Sequence, residues 1–279
     1  MRFWKYHGLG NDFIILDNRD QSIDISAGWV ETICHRRFGV GADGVILVEK
    51  SDKADIRMII YNSDGSRPAM CGNGIRCFAC YVYDKEIHKG DCMSVETDAG
   101  VLNIDIRSQE GEFTAAVVNM GKPDFTSKSV PVNIDKQEVI DHEIEIGGQS
   151  YKITSLLMGV PHTVLFVEDL SDETVVSLGK LIENVEMFPE RTNVNFVKVI
   201  DRQHILLRTW ERGAGYTYAC GTGACASVAA SVANGLTEDK VHVELRGGAM
   251  IIDWKDQEDI FMEGPAAEVF EGIYPNIQN

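Results

Sequence analysis

Short apolar runs bounded by Gly, Asn and Asp recur along the chain and predict β-strands at 13–16, 45–48, 56–61, 101–106, 164–167, 194–199, 205–210 and 249–253. Two stretches break this rhythm. Residues 74–83 and 223–233 are apolar nearly all round, the second almost entirely Ala, Ser and Val. A helix without a polar face has to be buried, so each is expected inside a curved sheet. Further helices are expected over 28–37 and 171–184. Turn chemistry at Met120-Gly121-Lys122-Pro123 marks a linker, and 274–279 reads as a frayed tail.

The pattern repeats. Cys71-Gly72-Asn73-Gly74 returns as Cys220-Gly221-Thr222-Gly223, at an offset of 149 residues, and each phrase opens one of the two apolar helices. At the same offset, Tyr61-Asn62-Ser63-Asp64-Gly65 falls on Trp210-Glu211-Arg212-Gly213-Ala214. Val95-Glu96 with Gly100 and Asp105 reappears as Val243-Glu244 with Gly248 and Asp253. Two copies of one unit are implied: an α+β fold of two pseudo-symmetric domains, each a curved sheet or barrel around a central helix. Residues 1–120 form the first, with 267–279 returning to it, and 121–266 the second.

Composition narrows the partners. The 279 residues are 44% hydrophobic, enough for two cored domains, and carry a formal net charge of −17, which gives no electrostatic reason to bind nucleic acid. The start, Met1-Arg2-Phe3-Trp4-Lys5, has no apolar signal region, and no later run is long enough to span a membrane, so a cytoplasmic protein is expected. Seven cysteines without disulfide-scaffold spacing point to reduced thiols. Cys77 and Cys80 form a C-x-x-C, but it lies within a helical run and has no second pair to complete a zinc site, so no metal is expected. Cys34 and Cys92 read as small half-buried side chains.

The two repeated cysteines carry the chemistry. A helix N-terminus with flanking glycines presents backbone N–H groups and a partial positive charge to a carboxylate, and the same field stabilises a thiolate. Two such sites facing each other across an interdomain cleft would hold one carboxylate and place a sulfur on either face of the carbon beside it. One thiolate would remove the α-proton while the other thiol returns a proton to the opposite face, without a cofactor. A small amino acid is the partner this chemistry fits.

At these residues the chain resembles the diaminopimelate epimerases. The likeness also includes His7-Gly8-Leu9-Gly10-Asn11-Asp12-Phe13, Arg37-Phe38-Gly39-Val40-Gly41-Ala42-Asp43-Gly44, Met158-Gly159-Val160-Pro161-His162, Glu190-Arg191-Thr192-Asn193 and Glu211-Arg212-Gly213-Ala214-Gly215. It implies that Cys71 and Cys220 are the acid–base pair interconverting LL- and meso-diaminopimelate. Gly72, Asn73, Gly221 and Thr222 then hold the reacting carboxylate, and Asn11 binds polar groups around that centre. Asn62, Asn193, Glu211 and Arg212 hold the second amino acid head. It also implies a homodimer. Val160 stands where the family commonly has Asn, and Tyr216 where many members are acidic. Val160 keeps open a racemase of another amino acid such as histidine or glutamate. A protein that binds an amino acid or senses oxidation through the two thiols is the non-enzyme reading.

Gly39-Val40-Gly41-Ala42-Asp43-Gly44 matches a dinucleotide-binding fingerprint in the wrong context, after a helix and before a strand, so no nucleotide is expected. His7 and His162 are assigned loop-positioning roles.

Overall fold

The computed structural model describes residues 1–275, and the chain divides into two compact units, Met1–Asn119 with the segment from Glu263 onward, and Met120–Met262. The fold is α+β and rich in strands. From position 276 the expected tail lies outside the described residues.

In the first unit, Ala267–Ile273 pairs antiparallel with Arg2–Gly8, which pairs antiparallel with Asn11–Asp17. That strand lies parallel to Gly44–Glu49, which is antiparallel to Ile56–Asn62; Ile56–Asn62 is in turn parallel to Cys92–Thr97, and the sheet continues antiparallel through Gly100–Gln109 and Glu112–Asn119. Parallel neighbours need a crossover. Helix α1 (Ala27–Cys34) supplies the first and α2 (Gly72–Asp84) the second.

The second unit repeats this succession. Val160–Phe166 is parallel to Asn193–Asp201, across helix α3 (Asp172–Glu183), and Asn193–Asp201 is antiparallel to His204–Glu211. His204–Glu211 is parallel to Lys240–Leu245 across helix α4 (Gly221–Ala233), and Gly248–Asp253 follows antiparallel. Val139–Ile146 and Gln149–Met158 extend the sheet beyond Val160–Phe166.

Helices α2 and α4 are the cores of their units. Every residue from Asn73 to Val82 of α2 is buried, and α4 is buried at Gly221 and from Gly223 to Ser231. The sheet strands around each helix supply the apolar cover that its sequence demands. The two buried serines of α4 cost little because each donates to its own helix: Ser227 Oγ to Gly223 O at 2.7 Å and Ser231 Oγ to Ser227 O at 2.7 Å.

Several expectations need correction. The helix expected over 28–37 stops at Cys34, because the His35 ring accepts the backbone N–H groups of Arg37 and Phe38 through Nδ1 and turns the chain. Sequence reasoning missed the strands Arg2–Gly8, Cys92–Thr97, Glu112–Asn119, Val139–Ile146, Gln149–Met158, Lys240–Leu245 and Ala267–Ile273. Cys34 is fully rather than half buried, and Cys92 is exposed.

Candidate active site

Each repeated cysteine is the N-cap of its helix. Cys71 has extended backbone (φ −141°, ψ 122°) and its Sγ accepts the Gly74 N–H at 3.4 Å; Cys220 (φ −123°, ψ 111°) accepts that of Gly223 at 3.3 Å. A side chain that accepts from the third helical residue satisfies one of the orphan donors of the first turn. The glycines leave the sulfur room, since a Cβ on Gly223 would fall 3.2 Å from Cys220 Sγ and 2.6 Å from Asn195 Oδ1.

The environments of the two sulfurs differ. Cys71 is half-buried, whereas Cys220 is 5% exposed and its thiol lies 3.5 Å from Thr222 Oγ1. Burial, followed by the negative charge of Glu211, pushes the Cys220 thiol well above its ordinary range, against the smaller opposing effects of Thr222 and the Gly223 N–H. The Glu211 carboxylate beside this thiol also accepts Thr217 Oγ1 at 2.6 Å. The sequence reading gave Glu211 to a distal ammonium. Its place at the end of His204–Glu211 brings its carboxylate close to the Cys220 thiol as well.

Around Cys71 the first unit gathers Gly72, Asn73 and Asn11. Asn73 Nδ2 donates to Asn11 Oδ1 at 3.0 Å, and Asn11 Nδ2 donates to Asp43 Oδ2 at 2.7 Å. Asp43 is braced by Arg36, which also pairs with Asp12. Asp43 comes from the glycine-rich phrase, Gly39 to Gly44, that mimics a nucleotide loop. In the structure it runs from the end of α1 into Gly44–Glu49, and Lys5 Nζ donates to the Gly41 carbonyl. Asn62 closes its own turn, donating from Nδ2 to Ser66 Oγ at 2.9 Å. His7 Nδ1 accepts the Gly10 N–H at 3.3 Å and holds the Leu9-Gly10 turn.

In the second unit, Gly221 and Thr222 form the first turn of α4. Asn193 is buried and ties two strand ends together: its Nδ2 donates to Pro161 O at 2.9 Å and its Oδ1 accepts the Arg212 N–H at 2.8 Å. Arg212 Nη1 donates to Glu190 O at 2.7 Å. Glu183, a buried carboxylate that sequence reasoning overlooked, accepts Trp210 Nε1 at 2.7 Å and the Gly213 N–H at 3.2 Å, so it fixes the turn carrying Arg212. Only its position in the last turn of a helix could have signalled it.

His162 lies in the core rather than in a loop. Thr209 Oγ1 donates to Asn195 Oδ1 at 3.1 Å, so Asn195 Nδ2 faces His162 Nδ1, at 3.1 Å, and the imidazole carries its proton on Nε2. Nε2 has no hydrogen-bond partner. Burial, then the Arg212 guanidinium, pushes this histidine down to about 3. The unfolded state therefore binds the extra proton first, and stability falls as pH drops from about 6.5 towards about 3. At about pH 4 the loss is on the order of 3 kcal/mol. His162→Gln is expected to flatten this slope, read as the difference in unfolding midpoint between neutral and acidic buffer; an unchanged slope would refute the assignment.

Cys77 and Cys80 lie inside α2 and burial pushes both thiols up. Among the described residues no group of three or more His, Cys, Asp or Glu side chains is placed to hold a metal, and no helix is long and apolar enough to cross a membrane. A cavity of about 600 Å³ in the first unit is lined by Cys80, Tyr83, Asp84, Glu112, Phe113 and Glu268. It lies at the C-terminal end of α2, away from Cys71 at the helix start, and Lys89 also lines it.

The diaminopimelate epimerase family profile matches residues 3–126 and 154–269. The chain is 46% identical over 272 residues to a diaminopimelate epimerase of Caldanaerobacter subterraneus subsp. tengcongensis, covering 98% of each. It is also 46% identical over 275 residues to that of Clostridium perfringens, covering 98% of this chain and 99% of the relative. Among solved structures, a PhzF-family phenazine biosynthesis protein of Bacillus anthracis superimposes with a TM-score of 0.68 at 18% identity, covering 98% of each chain. A probable proline racemase from Agrobacterium radiobacter gives 0.66 at 15%, covering 99% of this chain and 93% of the other, so both share the fold. With its family profile matched across most of its length and near-complete relatives at this identity, the chain belongs to the diaminopimelate epimerase family.

Proposed function

We propose that this protein is an isomerase that interconverts LL- and meso-2,6-diaminopimelate, supplying lysine and, in many bacteria, peptidoglycan. The observation that carries the reading is the pair of cysteines, each capping a buried helix and accepting its third backbone N–H, in a chain of this family.

The reaction runs through proton transfer alone. One thiolate takes the α-proton from one face of the reacting carbon, and the other thiol gives a proton to the opposite face. The bond to hydrogen breaks and re-forms with inversion, and each turnover leaves the protonation states of the two sulfurs exchanged. Cys220, held as a thiol by burial and Glu211, is the donor at the start of one direction, and Cys71 is the base. Helix N-terminal amides at Gly72, Asn73, Gly221 and Thr222 bind the carboxylate next to the reacting carbon. They stabilise the charge that builds on it as the carbanion forms. Asn11 steadies this centre, while Asn62, Asn193, Glu211 and Arg212 take the distal head.

The test is α-proton exchange in deuterated water, followed by proton NMR with LL-diaminopimelate, histidine and glutamate offered separately. Exchange on diaminopimelate alone is expected. Exchange on histidine or glutamate with none on diaminopimelate would replace the substrate and leave the proton chemistry standing. We also infer a homodimer working in the cytoplasm. Support for the dimer comes from Val269, Phe270 and Ile273, large apolar side chains exposed along Ala267–Ile273, and sedimentation velocity at micromolar concentration tests it.

A further inference from the structure

A guanidinium is buried directly behind the Cys71 turn. Arg76, in the second turn of α2, is 0% exposed. Its Nη1 donates to Gly72 O at 3.1 Å, its Nη2 to Asn73 Oδ1 at 3.1 Å and its Nε to Pro265 O at 3.3 Å. Two glycines make the slot for it. A Cβ on Gly8 would lie 3.1 Å from Nη2, and one on Gly264 would lie 3.1 Å from Nε, 3.3 Å from Cδ and 3.4 Å from Cζ. Burying an arginine is costly, and neighbouring positions of the same helix anchor it with Ile75, Cys77 and Phe78. Its two terminal nitrogens, Nη1 and Nη2, each donate to one of the two residues that follow Cys71.

Those two contacts have directional consequences. The peptide joining Gly72 and Asn73 is planar with its C=O and N–H opposed, so drawing Gly72 O towards Arg76 aims the Asn73 N–H the other way, out of the helix start. A guanidinium offers only donors, so Asn73 Oδ1 must face it and Asn73 Nδ2 must face Asn11. Asn11 then presents Oδ1 to Asn73 and Nδ2 to Asp43, a carboxylate that only accepts and is itself held by Arg36. With a pure donor at one end and a pure acceptor at the other, each amide along the line has a single orientation.

We propose that Arg76 is a positioning residue for the reacting centre: it sets the direction of the backbone N–H groups after Cys71 and the polarity of the Asn73–Asn11 pair. This rests on the reading of Cys71, Gly72 and Asn73 as the base and its carboxylate-binding turn. Arg76 touches no reacting atom. Its effect belongs to the transition state, where charge on the carboxylate is greatest, whereas ground-state affinity is shared with the distal head.

The experiment is steady-state kinetics with LL-diaminopimelate on Arg76→Met, Arg76→Lys and Arg76→Ala, with peptide-resolved alkylation of Cys71 by iodoacetamide across pH. In Arg76→Met, kcat is expected to fall on the order of 100-fold, with KM changed by less than about threefold. Arg76→Lys restores part of kcat, and guanidinium ion added to Arg76→Ala restores part by occupying the vacated slot, which a general loss of folding would not permit. Wild-type kcat in Arg76→Met, or a rise in KM alone, overturns the proposal. Should the Arg76 variants fail to fold, Gly264→Ala crowds the guanidinium in place. A several-fold lower kcat with an unchanged unfolding midpoint supports the proposal, and an unchanged kcat overturns it. If wild-type protein leaves diaminopimelate untouched, the functional reading fails separately. Alkylation then decides: the pH dependence of Cys71 labelling moves upward in Arg76→Met, and an identical profile in both proteins overturns the positioning role.

Discussion

Cys71→Ala and Cys220→Ala are each expected to lower kcat for epimerisation on the order of 10⁴-fold, in both directions. Each direction needs one sulfur as base and the other as acid, so neither variant can complete inversion from either isomer. Alanine also removes a helix cap, which by itself costs about 0.5–2 kcal/mol of stability. Serine separates the two effects. Its hydroxyl still accepts the Gly74 or Gly223 N–H and so keeps the cap, yet it is too weak an acid to serve as a thiolate. Cys71→Ser and Cys220→Ser should therefore melt close to the parent protein while losing turnover. The decisive measurement is the initial rate from LL- and from meso-diaminopimelate for all four variants beside their thermal midpoints. A single alanine variant that turned over both isomers at near the parent rate would end the two-base mechanism.

The helix N-termini were legible in the sequence because their physics is local. Gly on both sides of one residue, followed by an apolar stretch, specified a buried helix opening on a cysteine, and α2 and α4 begin there. Ser171, expected to open a helix, is the N-cap of α3, its Oγ accepting the Thr174 N–H. Strands buried on both faces, such as Gly44–Glu49, announced themselves as apolar runs. Half-exposed strands did not. Lys240–Leu245 alternates exposed and buried along its length, and Val139–Ile146 carries Asp141, Glu143 and Glu145 outward, so a search for apolar runs passed over both. The environment of a side chain was least legible. Nothing in the sequence says that the Glu211 carboxylate comes close to the Cys220 thiol, which depends on how the connection from His204–Glu211 into α4 turns, nor that His162 reaches Asn195, a contact that arises only when Val160–Phe166 and Asn193–Asp201 are paired. The Arg76 slot depends likewise on Gly8 and Gly264, which lie at opposite ends of the chain.

Arg212→Met is expected to reduce kcat/KM for diaminopimelate by roughly 30-fold to several thousand-fold, the equivalent of about 2–5 kcal/mol for removing one partner of a desolvated, hydrogen-bonded charge pair. In the proposed role, the guanidinium meets the distal carboxylate from a fixed position. Asn193 fixes its backbone, Glu183 fixes the turn that follows, and Glu190 O takes one Nη1 donor, which orients the fork. A planar fork with further N–H donors matches a carboxylate edge to edge, and a lysine ammonium cannot reproduce that fit, so Arg212→Lys should recover little. The same charge helps to keep His162 neutral. Its removal raises the pH at which His162 protonates in the folded state, so the acid-side loss of stability should shrink in Arg212→Met. That change is readable by unfolding in acidic buffer with no substrate present. The specificity measurement compares diaminopimelate with a single-headed amino acid that has no distal carboxylate. A collapse confined to diaminopimelate assigns Arg212 to the distal head. Equal losses on both substrates, or unchanged kcat/KM for diaminopimelate, would move Arg212 out of substrate recognition and leave it as a structural tie of the turn that joins Asn193 to Glu183.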